Sequence, residues 1–76
     1  MPIVLRIGPY RFYFYSHEAN EPPHVHIDRE DASAKFWLKK VSLANNRGFR
    51  EKELNLLCEL VGKHQKELLG KWHEYF

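Results

Sequence analysis

The residues best suited to chemistry are two histidines and an aspartate that alternate along one short segment. His24, His26 and Asp28 are separated by single residues, and side chains two residues apart in an extended strand project from the same side. Their Cβ atoms would lie about 6 to 7 Å apart, so two imidazoles could reach one phosphate or one metal ion. His24 and His26 are therefore candidates for a catalytic acid and base, with Asp28 able to orient an imidazole.

A metal site is the weaker interpretation of the same row. His24 and His26 would supply two ligands, and His17 or Asp28 could add another, whereas a structural zinc site normally uses four ligands with cysteines prominent. Cys58 is the only cysteine and lies among leucines, distant in the chain, so it is predicted to be a buried apolar thiol. The sequence predicts no cofactor.

The two prolines before this row offer a structural alternative. Pro22 and Pro23 fix φ, remove two backbone donors and hold the preceding residue extended. A strand beginning at His24 would follow them directly. The prolines and histidines could then serve only to hold the start of that strand through backbone hydrogen bonds.

Alternation with a period of two predicts the strands that must position these residues. The predicted strands cover residues 3–7, 10–16, 24–28 and 33–38. In the first, Ile3, Leu5 and Ile7 are predicted to share one face. The other strands direct one apolar set towards a core, namely Phe12, Phe14, Val25, Ile27, Phe36 and Leu38. Such a face needs helices to cover it.

The second half of the chain supplies that cover. From about residue 50, apolar residues recur at spacings of three and four, which predicts an amphipathic helical segment. The stripe comprises Leu54, Leu57, Val61, Leu68, Trp72 and Tyr75. Gly62 and Gly70 each weaken a helix by about 1 kcal/mol relative to alanine, which favours two helices meeting near Gly62 over one long helix. Residues 45–48 are predicted to form the loop between the halves.

These patterns predict an α+β fold in one domain, residues 1–76. A three- to four-stranded antiparallel sheet in residues 1–44 would precede one long or two shorter helices in residues 49–76, packed on one face. With 43% hydrophobic and 29% charged residues in a chain of 76, the composition is typical of a globular domain rather than a disordered segment. No signal peptide or membrane span is recognisable at the sequence level, so a cytoplasmic protein is expected.

The face of the predicted sheet turned away from the helices has an unusual composition. It carries Arg6, Arg11, Tyr13, Tyr15, His24, His26, Asp28, Lys35 and Trp37. Aromatic rings among cations are typical of surfaces that stack the bases of single-stranded RNA. Arg11, Tyr13, Tyr15, Lys35 and Trp37 are therefore the candidate binding residues. A net charge of +2 does not by itself indicate nucleic acid, and burial of these rings by sheet curvature or by a protein partner stays an alternative.

Four segments of the sequence resemble an uncharacterised prokaryotic family, domain of unknown function 4160. They are Glu-Pro-Pro-His-Val-His-Ile-Asp at 21–28, Ala-Lys-Phe-Trp-Leu at 34–38, Asn-Arg-Gly-Phe at 46–49 and Leu-Leu-Gly-Lys-Trp-His-Glu-Tyr-Phe at 68–76. The resemblance makes Pro22, Pro23, His24, His26, Asp28, Lys35 and Trp37 motif positions without assigned roles. The family's genes often adjoin those of domain of unknown function 2442, some members of which carry a helix-turn-helix. That arrangement implies the toxin-like half of a toxin–antitoxin module.

The function expected from these observations is that of a small bacterial regulatory protein acting on RNA and held in check by a cognate small partner protein. If it cleaves RNA, a metal-independent ribonuclease is the first expectation, with Arg11 and Lys35 stabilising phosphate charge beside the two histidines. Two other classes stay open: a non-enzymatic protein-interaction module, homodimeric or with another partner, and a small metal-binding protein.

Overall fold

The computed structural model describes residues 3–15 and 20–76. Within these residues the chain forms a sheet followed by two helices, which confirms the α+β class. The elements are β1 (Ile3–Ile7), β2 (Tyr10–Tyr13), β3 (His24–Arg29), β4 (Ala32–Trp37), β5 (Ser42–Arg47), α1 (Glu51–Lys63) and α2 (Gln65–Tyr75).

The strands form an antiparallel meander in which each strand pairs with the next along the chain. Gly8 and Pro9 turn β1 into β2, and Glu30 and Asp31 turn β3 into β4. Gly8 has a φ of 54° and Glu30 a φ of 52°, in the left-handed region that glycine adopts without steric cost and other residues rarely enter. The β1–β2 and β3–β4 connections are therefore two-residue turns, and the second keeps β3 and β4 in register.

The sheet has five described strands, so the prediction of three to four was wrong. The prediction did not include β5. Residues 45–48, which overlap this strand, were predicted to form a loop, and asparagine is depleted in strands. As an edge strand, β5 pairs only with β4, and Leu43 is 44% exposed. A strand with so little buried surface needs no apolar alternation, and the sheet extends to Arg47, past the predicted boundary at residue 44.

The end of the second strand and the side-chain parity of β1 also differ from the sequence prediction, whereas the junction between the helices lies close to its predicted position. The second strand ends at Tyr13 rather than at residue 16, which lies outside the described residues. The two helices meet at His64, with φ −104° and ψ 16°, close to the predicted junction near Gly62. In β1 a bulge between Ile3 and Leu5 sets Leu5 opposite Phe12 but Ile3 opposite Tyr13. Since a bulge shifts side-chain parity, Ile3 lies on the other face from Leu5.

The core lies between one face of the sheet and the two helices. All six predicted inward residues of the sheet are buried, together with Leu57, Val61, Leu68 and Trp72 of the helices; the six are Phe12, Phe14, Val25, Ile27, Phe36 and Leu38. Tyr75, at the end of the predicted stripe, is exposed. Helical cover of one apolar face was thus predictable from periodicity.

Polar contacts attach each helix to the sheet. Glu53 in the first turn of α1 accepts hydrogen bonds from Arg29 at 2.6 and 2.9 Å and from the Tyr10 hydroxyl at 2.8 Å. At the start of α2, the Gln65 amide donates to the carbonyl oxygen of Leu38 at 2.7 Å. Within the described residues, neither helix combines the length and apolar character needed to cross a lipid bilayer.

Candidate functional site

The strand register gathers the candidate residues on the face of the sheet opposite the helices, here called the outer face. Directly opposed residues of antiparallel strands share a face. One cross-strand row is Tyr13, His26, Lys35 and Asn45, and the next is Arg11, Asp28, Ser33 and Arg47. A third row pairs His24 with Trp37. The alternation in the sequence predicted this shared face for the candidate residues of β2, β3 and β4, but not for Asn45 and Arg47 of β5.

His26 lies among three other rings at the centre of the outer face. Its imidazole is stacked on Tyr13, with ring centroids 5.4 Å apart and an interplanar angle of 19°. Tyr15 and His24 meet it edge-on, at centroid distances of 4.5 and 5.2 Å. The packing fixes the orientation of His26, and the residue stays partly exposed.

Tyr13 packs beneath the His26 ring and is too buried to stack with a base of a bound RNA. Only 6% of the residue is exposed, and its hydroxyl donates to Asp28 Oδ1 at 2.9 Å. Burial, followed by hydrogen bonds with Tyr15 and Asp28, raises the pKa of Tyr13 well above its ordinary value. The phenol is therefore held in its neutral, donating form.

His24 is fully buried, in contrast to His26. Its Nδ1 lies 2.9 Å from the Pro22 carbonyl oxygen, and because a carbonyl can only accept, Nδ1 carries the proton. The ring also lies near Trp37 and near Trp72 of α2, at 5.7 and 5.1 Å between centroids. His24 thus links the outer face to the helical core, and its bond to Pro22 matches the structural role left open for the proline–histidine motif.

Lys35 is held between a carboxylate and an indole. Its Nζ donates to Glu21 Oε1 at 2.7 Å and lies 4.7 Å from the centroid of the Trp37 ring. The same Glu21 oxygen is 3.8 Å from His24 Nδ1. These contacts hold the Lys35 ammonium on β4, between His26 of β3 and Asn45 of β5.

An open groove of about 490 Å³ runs from His26 and Lys35 towards the edge of the sheet. Its lining residues are His26, Ser33, Ala34, Lys35, Asn45, Asn46 and Arg47. Asn45 and Arg47 were missed as site residues because their segment was predicted to be a loop, and only pairing of β5 with β4 brings them beside Lys35 and Ser33. Arg11 of β2 and Arg6 of β1 do not line the groove. They lie on the other side of Asp28, because Arg11 is opposite both Asp28 and Arg6.

The described part of the chain does not complete a metal site at His24 and His26. No group of three or more His, Cys, Asp or Glu side chains suited to a metal ion occurs there. His17, which the sequence offered as a third ligand, lies outside the described residues. Cys58 is a free, partly exposed thiol in α1.

The fold and the outer face together define a small α+β domain whose two helices cover one face of a meander sheet, while the other face presents rings, imidazole and cations. A family model described as Domain of unknown function (DUF4160) matches residues 10–73, and the chain belongs to that family. The matched region runs from β2 into α2 and contains the entire groove. No curated protein and no solved structure matches the chain.

Proposed function

We propose that this protein binds single-stranded RNA on its outer face and acts as the toxin-like member of a two-gene regulatory module. The observation that carries the proposal is the position of a polar, basic groove beside partly exposed rings. Tyr15 and Trp37 are half-buried, and each base stacked on such a ring contributes about 1 to 3 kcal/mol. Lys35 and Arg47 would meet the phosphates that accompany those bases.

The regulatory role is supported by the family resemblance and by the form of the surface. Binding of a cognate partner protein across the outer face would cover the rings and the groove together, and would block RNA without any change in fold. In the catalytic form of this proposal His26 is the acid or base, whereas His24, predicted as the other member of the pair, is fully buried and bonded to the Pro22 carbonyl, so it can only position the rings around it. His26 is the imidazole that lines the groove, where Lys35 and Arg47 would stabilise charge on the phosphate. Arg11, predicted for that role, is opposite Asp28 and does not line the groove.

RNA binding is tested by titrating a labelled single-stranded oligoribonucleotide with the purified protein at low and at moderate salt. Phosphate-driven binding must weaken as salt rises, with a slope of about −0.7 per phosphate contact for a single strand. Tyr15→Ala should reduce the affinity, whereas Tyr75→Ala, at an exposed site on α2, should leave it near that of the parent. Absence of binding at low salt would reject the proposal.

The catalytic and toxic form needs its own test, because binding alone does not imply turnover. Expression of the protein without its partner should inhibit growth, and His26→Asn should relieve the inhibition. His73→Asn is the matched control, since His73 is exposed near the end of α2. A His26→Asn variant as inhibitory as the parent would exclude His26 from catalysis.

One observation favours a second function, that of a protein-interaction module without RNA. The bulge in β1 places Ile3 on the outer face opposite Tyr13, and Ile3 is 45% exposed. An exposed aliphatic side chain beside aromatic rings is typical of a protein interface. Under this alternative, the product of the neighbouring gene would bind with an affinity sensitive to Ile3→Asp, and RNA would not bind at any salt concentration.

A further inference from the structure

We infer that the groove between β3, β4 and β5 is a binding site for a phosphate group, and that the Glu21 carboxylate competes with that phosphate for Lys35. The inference deepens the proposed RNA function and rests on it, because the phosphate envisaged is a diester of the bound strand. It assigns the phosphate to the groove, names the side chains that would donate hydrogen bonds to it, and identifies Glu21 as a competing anion.

The groove is lined by hydrogen-bond donors from two paired strands. Lys35 lies opposite Asn45, and Ser33 lies opposite Arg47, so β4 and β5 each contribute two polar side chains. The guanidinium of Arg47 can bind two phosphate oxygens at once, and the ammonium of Lys35 acts as a compact positive charge. Among the described residues no acidic side chain lines the groove, and the nearest carboxylate along the row, Asp28 opposite Ser33, accepts the Tyr13 hydroxyl. This donor set is complementary to a tetrahedral anion.

Asn45 also fits the role of a donor. Its side-chain oxygen accepts a hydrogen bond from the backbone N–H of Asn46 at 2.9 Å. The acceptor end of the amide is therefore engaged within the chain, and the NH₂ end is what the residue can offer a ligand. Asn46 itself is used structurally, because its amide exchanges two hydrogen bonds with the backbone of Phe49, each 3.1 Å long.

Glu21 occupies the place of a ligand at one end of this site. A carboxylate oxygen 2.7 Å from the Lys35 ammonium is the arrangement that a phosphate oxygen would adopt with the same group. Glu21 precedes β3 and its side chain is 38% exposed, so a phosphate can replace it without disturbing the core. Because the carboxylate and a phosphate are both anions and would repel each other at the same ammonium, bound phosphate and the Glu21–Lys35 ion pair disfavour one another.

Glu21→Gln should release Lys35 and raise affinity for phosphate by about two- to fivefold, the range expected for removing one exposed ion pair. Arg47→Gln should lower affinity by at least about fivefold, because it removes a charge and a two-point contact. Arg50→Gln is the matched control: this exposed arginine precedes α1 and lies outside the groove, so affinity should not change.

The experiment is a titration of the ¹⁵N-labelled protein with inorganic phosphate at constant ionic strength. The amide signals of Lys35, Asn45 and Arg47 should shift and saturate together, and each variant's spectrum reports whether it is folded. The inference is overturned if neither the parent nor Glu21→Gln shows saturable shifts at these amides. It is equally overturned if Arg50→Gln weakens binding as much as Arg47→Gln.

A second titration, with a single-stranded oligoribonucleotide that has no terminal phosphates, separates the sources of the phosphate. Saturable groove shifts in both titrations support a diester site. Shifts with inorganic phosphate alone support a site for free phosphate and reject the RNA function. Binding of the oligonucleotide without groove shifts, and without loss in Arg47→Gln, rejects this inference while RNA binding stands.

Discussion

At the scale of single residues, Tyr13 connects the outer face to the stability of the fold. An unfolded phenol has a pKa of about 10, and burial raises that of Tyr13 in the folded protein. Below pH 10 both states are protonated. Above it the unfolded chain ionises first, which favours unfolding. Tyr10, whose pKa burial also raises, acts in the same direction.

The free energy of unfolding should therefore fall above about pH 10, and it should fall less steeply in Tyr13→Phe. At neutral pH that variant should lose about 0.5 to 1.5 kcal/mol with the hydrogen bond to Asp28. Denaturant titrations between pH 8 and pH 11 measure both effects, with Tyr75→Phe as the exposed control. Parallel curves for the parent and Tyr13→Phe would contradict this account.

The Glu53 carboxylate gives the opposite dependence on pH. Its hydrogen bonds from Arg29 and Tyr10 lower its pKa in the folded state, so its contribution is present above the ordinary glutamate pKa of about 4.3 and is lost as pH falls through the lowered pKa. Glu53→Gln should be less stable than the parent at pH 7 and should show a shallower loss below about pH 5. Glu59→Gln, exposed on α1, should follow the parent in the same acid-unfolding measurement.

The alternation of residues along the strands predicted which face of the sheet the two histidines occupy, but not how deeply each is buried. His24 and His26 alternate identically, and yet His24 is buried because Trp72 of α2 and the Pro22 carbonyl close over it. Such contacts join residues distant in sequence, which no local pattern encodes. Ile3 changes face for a comparable reason, since the bulge in β1 arises from pairing with β2.

At the scale of elements, β5 is the part of the site that only pairing reveals. The apolar stripe of an amphipathic helix is visible in the sequence, and the helical segment was predicted from it. An edge strand is held by backbone hydrogen bonds to one neighbour, so Asn45 and Asn46 are tolerated there despite their low strand propensity. The groove therefore depends on an element that hydrophobic patterning cannot show.

The two glycines at 70 and 48 should respond oppositely to substitution by alanine. A Cβ at Gly70 would meet nothing within 4 Å, so Gly70→Ala should stabilise the protein by about 0.5 to 1 kcal/mol through better helix propensity. Gly48 has a φ of 94°, and a Cβ there would lie 3.4 Å from Ala32. Gly48→Ala should destabilise by about 1 to 2 kcal/mol. Chemical denaturation of both variants measures the two signs, and a stabilised Gly48→Ala would contradict them.

At the scale of the whole molecule, core and candidate site share the same strands. Adjacent residues of β4 serve the two faces: Phe36 is buried beneath the helices, while Trp37 belongs to the outer face. Phe36→Ala should cost about 3 to 5 kcal/mol, a large part of the roughly 4 to 11 kcal/mol expected for a domain of 76 residues. Trp37→Ala should remain folded. Thermal unfolding followed by circular dichroism compares them, and equal losses would show that the faces are not independent.

The central claim, that bases stack on the outer face, is tested most directly by the fluorescence of Trp37. The chain has two tryptophans, and Trp72 is buried in the core, so Trp72→Phe leaves Trp37 as the only indole. Titration of that variant with single-stranded oligoribonucleotide should quench its emission saturably, whereas Trp37→Phe, which reports Trp72 alone, should show little change. Unchanged Trp37 emission at RNA concentrations that saturate binding, or equal quenching in both variants, would contradict the claim.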